Sequence, residues 1–366
     1  MERFNPTRLD LARRRRGKTK STLAEEAGVT TSVLRMYERG DRAPSPQTVQ
    51  RLSEVLDFPP EFFAGDDIDE PSVDGVSFRA LSNMTARQRD QATGAASIAV
   101  GLDDWIRARF DLPGPDVPRL PEADPEAAAE TVRDRWGLGQ RRAPNMVHLL
   151  EAHGVRVYSL VQECAEVDAF SFWRDGIPYV FLNNQKSAER SRMDAAHELG
   201  HLVLHAHGAP TGRTAEEEAQ AFGSAFLMPR RSVLADAPRH GTVKQVIKAR
   251  KLWNVSAMNL AHRMHKLGLL TEWQVRSIYI QLGKMGYRSG EPGGIERESS
   301  QILPKVFAML RDERMSRADV ARELHVPVDE LNRAVFGLVV ARETDLGAAD
   351  SPPPAPAGRP TLRRVV

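Results

Sequence analysis

Apolar positions in the first sixty residues recur at helical spacing, broken by tight turns. Leu23, Ala24, Ala27, Val29, Val33 and Leu34 fall on either side of Gly28 at intervals that let two short helices share one core. They predict a helix over "KSTLAEEA", a turn at "GVT" and a second helix over "TSVLRMYERG". Val49, Leu52, Val55 and Leu56 continue the pattern until a proline pair ends it. The acidic segment 64–77, with Pro71 and Gly75, reads as a linker. Helical spacing returns over 83–111, 125–136 and 145–154, the last with Gly154 at a C-cap position. Then the period changes. "VRVYSL" (155–160) alternates as a strand does, and two β-rich runs within 169–183 flank Asp175-Gly176, a hairpin signal. Helical patterns resume at 194–208 and 214–229, and again over about 242–284 and 300–340 with no strand signal.

These spans predict a multidomain chain. An all-α helix-turn-helix domain fills 1–63 and the linker 64–77, with a helical connector over 78–124. An α+β core covers 125–235, a helical C-terminal region 236–344, and a proline- and alanine-rich, disordered tail 345–366. With 366 residues, several cores are expected. The formal net charge of +2 means that any nucleic-acid binding must come from local charge. A single cysteine, Cys164, excludes an intramolecular disulfide and a four-cysteine metal centre. It makes a reducing, cytoplasmic setting the simplest expectation. No apolar run reaches the roughly 20 residues of a membrane helix, so no membrane partner is expected.

The sharpest chemistry lies in "DAAHELGHLVLHAHG", residues 194–208. On a helix, His197 and His201 are four apart and aim at one spot, with Glu198 one step round. Two imidazoles there can hold Zn²⁺ while the glutamate serves as general base. The five-residue pattern also arises by chance in a buried helix, so a third protein ligand is required. "TAEEEAQAFGSAFLMP" (214–229) offers Glu216, Glu217 and Glu218 on a second helix. Glu216 has Gln220 four residues on, placed to support a ligand. The bland alternative, a solvated acidic first turn, is expected for two of the three. His205 lies about 12 Å along the axis from His197 and cannot share its ion, so His205 and His207 are read as structural or solvated. Asp194 is expected in the helix's first turn.

Together "FRALSNMTARQRDQA", "WGLG", "DAFSFWRDGIPYVFLNN", "AAHELGHLVLH", "EEEAQAFGSAFLMP" and "GYRSGEP" resemble, in order, the ImmA/IrrE family of metallopeptidases. The resemblance spans about 78–292. It implies a zincin-like (HExxH) domain and makes Glu216 the third ligand, since Glu216, Ala219, Phe222, Leu227, Met228 and Pro229 match the family's second helix. Gln220 replaces the usual Asn or Asp, and Gly223 the usual Ala. Family members resembling this chain cleave a repressor protein and so derepress genes.

The N-terminal pattern has its own chemistry. In a helix-turn-helix the second helix leads into the major groove with its first residues. That makes Thr30, Thr31, Ser32 and Arg35 the candidate DNA contacts. The segment resembles the Cro/C1-type (XRE) helix-turn-helix over about 8–63, including "YERGDRAPS". Lys20 stands where the family often has a glutamine that contacts the DNA backbone. Over residues 1–20, lysine and arginine number 8 and aspartate and glutamate 2, an excess that could add backbone attraction. A second such pattern, "SRADVARELHVPVDELNRAVF" (316–336), equally suits a packed helical pair.

The expected function is a DNA-binding transcription regulator with a zinc-dependent endopeptidase domain that cleaves a partner repressor of XRE type. Operator DNA is its other partner, and self-pairing as a homodimer is left open. The rival is a regulator whose peptidase-like domain senses a ligand without cutting, as in regulators of short-chain acyl metabolism that this layout resembles. A third reading is one component of a toxin–antitoxin pair.

Overall fold

The computed structural model describes residues 4–68, 85–121, 123–160, 169–205, 212–238, 241–288, 290–339 and 363–364. Four short helices open the chain: α1 (Pro6–Arg15), α2 (Lys20–Glu26), α3 (Thr31–Arg39) and α4 (Pro46–Leu56). Each start is fixed by a side-chain cap, from Asn5, Thr19, Thr30 and Ser45 in turn. Gly28 (φ +65°) makes the turn between α2 and α3, and Gly40 (φ +76°) ends α3 in the left-handed region. Leu9, Leu23, Ala24, Ala27, Leu34, Leu52 and Leu56 close the core between them. The first residues of the expected linker fold back on α1: Asn5 donates to the Gly65 carbonyl and to Asp67, and Arg8 donates to the Asp66 carbonyl. Residues 69–77 lie outside the described residues.

The long helix α5 spans Ala86–Arg107, shorter at its end than the pattern over 83–111 suggested. The short strand β1 (Phe110–Asp111) follows it. Of the expected tail, only Arg363–Arg364 (β5) is described, paired antiparallel with β1. Next come α6 (Pro125–Arg135) and α7 (Met146–Ala152), then a three-stranded sheet of β2 (Arg156–Ser159), β3 (Ala169–Arg174) and β4 (Ile177–Leu182). Its order is β2-β4-β3, with β4 parallel to β2 and antiparallel to β3. Asp175 (φ 50°) and Gly176 (φ 75°) form the hairpin turn between β3 and β4. Two consecutive positive φ values match the strands' right-handed twist.

Alternation along β3 gives the sheet two working faces. On one, Ser171 and Trp173 hydrogen-bond to the helix α8 (Ala188–Leu204). On the other, Phe170, Phe172, Tyr179 and Phe181 stack in a row. There Tyr179 and Tyr158 donate to buried Asp103 of α5, at 2.8 and 3.1 Å. Helix α9 (Arg213–Leu227) packs along α8. After α9 come α10 (Arg230–Asp236), α11 (Val243–Ala249), α12 (Ala257–Lys266), α13 (Glu272–Lys284), α14 (Ile302–Asp312), α15 (Arg317–Glu323) and α16 (Val328–Ala334). Among the described residues no helix is long and apolar enough to cross a membrane.

Polar joints fasten the C-terminal helices, two of them through buried glutamates. Buried Glu151 at the end of α7 accepts from Ser300 Oγ and from the backbone N–H groups of Gln301 and Ile302, and so caps α14. Glu330 of α16 accepts from Arg15 Nε at 2.8 Å and from Arg16 Nη1 at 2.6 Å. The side chains of Arg15 and Glu330 are each 1% exposed. This joint accounts for part of the N-terminal arginine run. Arg13 pairs with Glu38 and Asp10, Arg14 with Asp10, and Arg16 also with Asp57. The local positive excess is therefore spent largely on internal ion pairs, not on an outward basic face. The second helix-turn-helix pattern forms as α15 and α16, and it turns its second helix toward α1 and α5.

Candidate metal centre and helix-turn-helix

Helix α8 starts earlier than its histidines suggest. Ser187 caps it by accepting from Arg190 N–H, and Glu189 supplies the acidic first turn. Asp194 therefore sits nearly two turns inside the helix, not in its first turn. The polar run "NNQKSAERSR" hides the true start. Burial pushes the Asp194 carboxyl up to about 6, and its Oδ2 has no hydrogen-bond partner among the described residues.

From this helix His197 and His201 present their Nε2 atoms 3.0 Å apart. Glu216, in the first turn of α9, completes a triangle. Its Oε2 lies 3.3 Å from His197 Nε2, and its Oε1 lies 3.4 Å from His201 Nε2. Tetrahedral zinc with bonds of about 2.0–2.2 Å separates its ligand atoms by about 3.3–3.5 Å. The triangle is thus of the right size, and two imidazoles with a carboxylate are a suitable donor set for such an ion. His197, His201 and Glu216 are the group among the described residues whose donor atoms lie close enough together to hold one metal ion.

Small residues make the convergence geometrically available. A Cβ on Gly200 would stand 3.1 Å from the Ala219 backbone, and one on Gly223 only 2.9 Å from the His197 amide nitrogen. The two helices touch backbone to backbone, which brings Glu216 within reach of both rings. Gly223, the departure from the family's alanine, lies at the tightest of these contacts.

The charges respond to the same closeness. Burial alone would raise Glu216, but hydrogen bonds from His197 and His201 overcome it and hold the carboxyl well below its usual range. Burial opposes charge on His197, yet Glu216, Glu198 and Asp194 together raise it above the ordinary histidine value. Glu198 is buried and points its Oε2 at the Ser171 hydroxyl of β3, 2.6 Å away. No sequence signal singled out Ser171, because the contact joins a strand to a helix 27 residues on.

The other acidic and histidine positions sort themselves. Glu217 is exposed and pairs with Arg213. Glu218 is not simply solvated: its Oε2 lies 2.9 Å from His205 Nε2. His205 stands outside the group of converging donor atoms, and its Nδ1 contacts His201 Nδ1 at 2.9 Å. His207 lies outside the described residues.

At the N-terminus, Thr30, Ser32 and Arg35 are exposed at the start of α3, and Thr31 is half-buried. The Thr30 hydroxyl oxygen accepts from Val33 N–H as the helix cap. Lys20 is exposed, with its Nζ 2.5 Å from Glu38 Oε2, so its charge is shared with a buried carboxylate.

Comparison with known proteins finds two family models that match parts of the chain. Residues 150–265 match the family model of the IrrE N-terminal-like domain, and residues 9–63 match a helix-turn-helix family model. No curated protein and no solved structure matches the chain. The chain therefore joins an XRE-type helix-turn-helix domain to an IrrE/ImmA-like domain of the peptidase type.

Proposed function

We propose that the protein is a DNA-binding transcription regulator whose second domain is a zinc-dependent endopeptidase of zincin-like arrangement, acting on a partner repressor of XRE type. The observation that carries the reading is the triangle of His197, His201 and Glu216 donor atoms, 3.0–3.4 Å on its sides, with buried Glu198 on the same helix. His197, His201 and Glu216 would hold the zinc ion. When bound, zinc supplies polarisation of the scissile carbonyl and acidifies the attacking water. Glu198 takes the proton of that water and delivers it to the leaving amine nitrogen. Ser171 donates to a carboxylate oxygen of Glu198 and so helps to orient that carboxylate.

The helix-turn-helix would place this chemistry at an operator. Thr30, Thr31, Ser32 and Arg35 would contact DNA from α3, with Lys20 at the backbone. Supporting this, Thr30, Ser32 and Arg35 are exposed at the start of α3.

The test pairs metal analysis of the purified chain with cleavage of candidate XRE repressors by wild type and Glu198→Gln. The variant should keep one zinc per chain and lose cleavage. A chain without zinc, or a variant that still cuts, overturns the reading. One observation favours the non-cutting sensor as the second reading. The buried Arg15–Glu330 joint ties the reader to the rest of the chain, as transmission of a ligand signal to DNA would require. Metal binding without cleavage of any repressor, alongside ligand-dependent operator affinity, would select it.

A further inference from the structure

His205 and Glu218 stand outside the ligand triangle, and the chemistry above uses neither. We propose that they are a positioning pair for the metal centre: Glu218 holds His205, and His205 holds the ring of His201 in the plane and tautomer that present Nε2 to the ion. This rests on the reading of His197, His201 and Glu216 as ligands.

The protons follow from the distances. A neutral imidazole that gives its Nε2 lone pair to a cation carries its one proton on Nδ1. His201 Nδ1 lies 2.9 Å from His205 Nδ1. Two nitrogens in contact share one proton, so His205 Nδ1 accepts, and the proton of His205 sits on Nε2. That nitrogen lies 2.9 Å from Glu218 Oε2, a carboxylate oxygen that can only accept. Every proton in the series then has one place, and the series runs from the ion outward to a fixed negative charge. A carboxylate acting on a ligand histidine restrains the ring and raises its basicity. Here an intervening imidazole extends the reach, because Glu218 is two residues past Glu216 on α9. One helix grips the centre twice, directly through Glu216 and indirectly through Glu218 and His205. A side chain that merely filled space would need neither an acceptor at Nδ1 nor a charge at position 218.

The test titrates Zn²⁺ alone, against a chromophoric chelator, into the full-length chain and three variants. His205→Leu removes the acceptor. His205→Asn keeps a carbonyl oxygen close to where Nδ1 stood. Glu218→Gln removes the charge from a side chain that is partly exposed. All should bind one ion per chain. His205→Leu should lose roughly 10–100-fold in affinity, with His205→Asn recovering part of that loss and Glu218→Gln falling between wild type and His205→Leu. Nitrogen-15 histidine spectra of the zinc-loaded wild type should place the proton of His201 on Nδ1 and that of His205 on Nε2. Unchanged affinity in Glu218→Gln and in whichever His205 variant folds, or the opposite tautomers, overturns the positioning role. A wild type that binds no zinc overturns the ligand reading itself, and this inference with it.

Discussion

Two of the places where the protein buries charge resolve it in opposite ways. At the joint between α1 and α16, Arg15 and Arg16 meet Glu330, so cation and anion are both built in. At the centre between α8 and α9, His197, His201 and Glu216 all offer lone pairs to one point. The first arrangement is closed. The second is completed by a proton on a histidine or by a metal ion. The difference teaches that burial of charge alone does not mark a functional site. The sign of the converging groups does: unlike charges seal a joint, and like donors specify a cation.

The largest predicted effect breaks the joint. Glu330→Ala leaves Arg15 buried without its carboxylate, and should cost about 3–5 kcal/mol, read by denaturant unfolding of the metal-free chain. A chelator should leave that loss unchanged, since no ion takes part. At the centre the tightest contact is steric. Gly223→Ala places a methyl 2.9 Å from the His197 amide nitrogen. It should destabilise the chain by about 1–3 kcal/mol and weaken Zn²⁺ binding as α9 is pushed away. Equal metal affinity in this variant would show that Glu216 does not depend on that approach.

pH separates the two regions further. The folded value of His197 is raised, so the stability from its protonation is full below the ordinary histidine value of about 6.5 and is lost as pH rises through the raised value. Glu216 is depressed, so its share is present above the ordinary carboxylate value and lost only as pH falls toward its depressed one. The metal-free chain should therefore lose stability as pH rises past neutrality. Zinc must displace the His197 proton, so its affinity should fall about tenfold per unit below the raised value. The stability profiles with and without zinc should then diverge as pH rises. At the joint, burial raises Glu330 but Arg15 and Arg16 bring it below its ordinary value. Its contribution is present above the ordinary value and should stay flat between about pH 5 and 8. Thermal melts across that range, with and without zinc, check both statements. The effect confined to binding, with none on stability, is at the helix-turn-helix: Arg35→Ala should weaken specific operator binding by about 1–3 kcal/mol without changing zinc content, measured by titration at fixed salt.

What the sequence disclosed follows from how far apart the partners lie. His197 and His201 are one helical turn apart, so spacing alone aligns them. The Asp175-Gly176 turn and the caps of α2 and α3 are likewise local. Spacing to Gln220 only hints at Glu216 among three adjacent glutamates, and the family resemblance is what makes it the third ligand. Ser171, Glu218 and Glu330 reach their partners across tertiary packing, and no periodicity reports such pairings. The misplacement of Asp194 has a local cause, because Ser187 and Glu189 start the helix in a stretch that reads as polar loop. The arginine run shows the same limit. Composition registers four adjacent cations, but only packing shows that Arg15 faces a carboxylate.

The joint also sets an order on the birth of the molecule. Arg15 finds Glu330 across 315 positions. At about 5–20 residues per second of synthesis, the first helix is made roughly 15–60 s before its partner exists. During that interval Arg15 and Arg16 await Glu330, so the seal between α1 and α16 closes only after the domain carrying the histidines has been made.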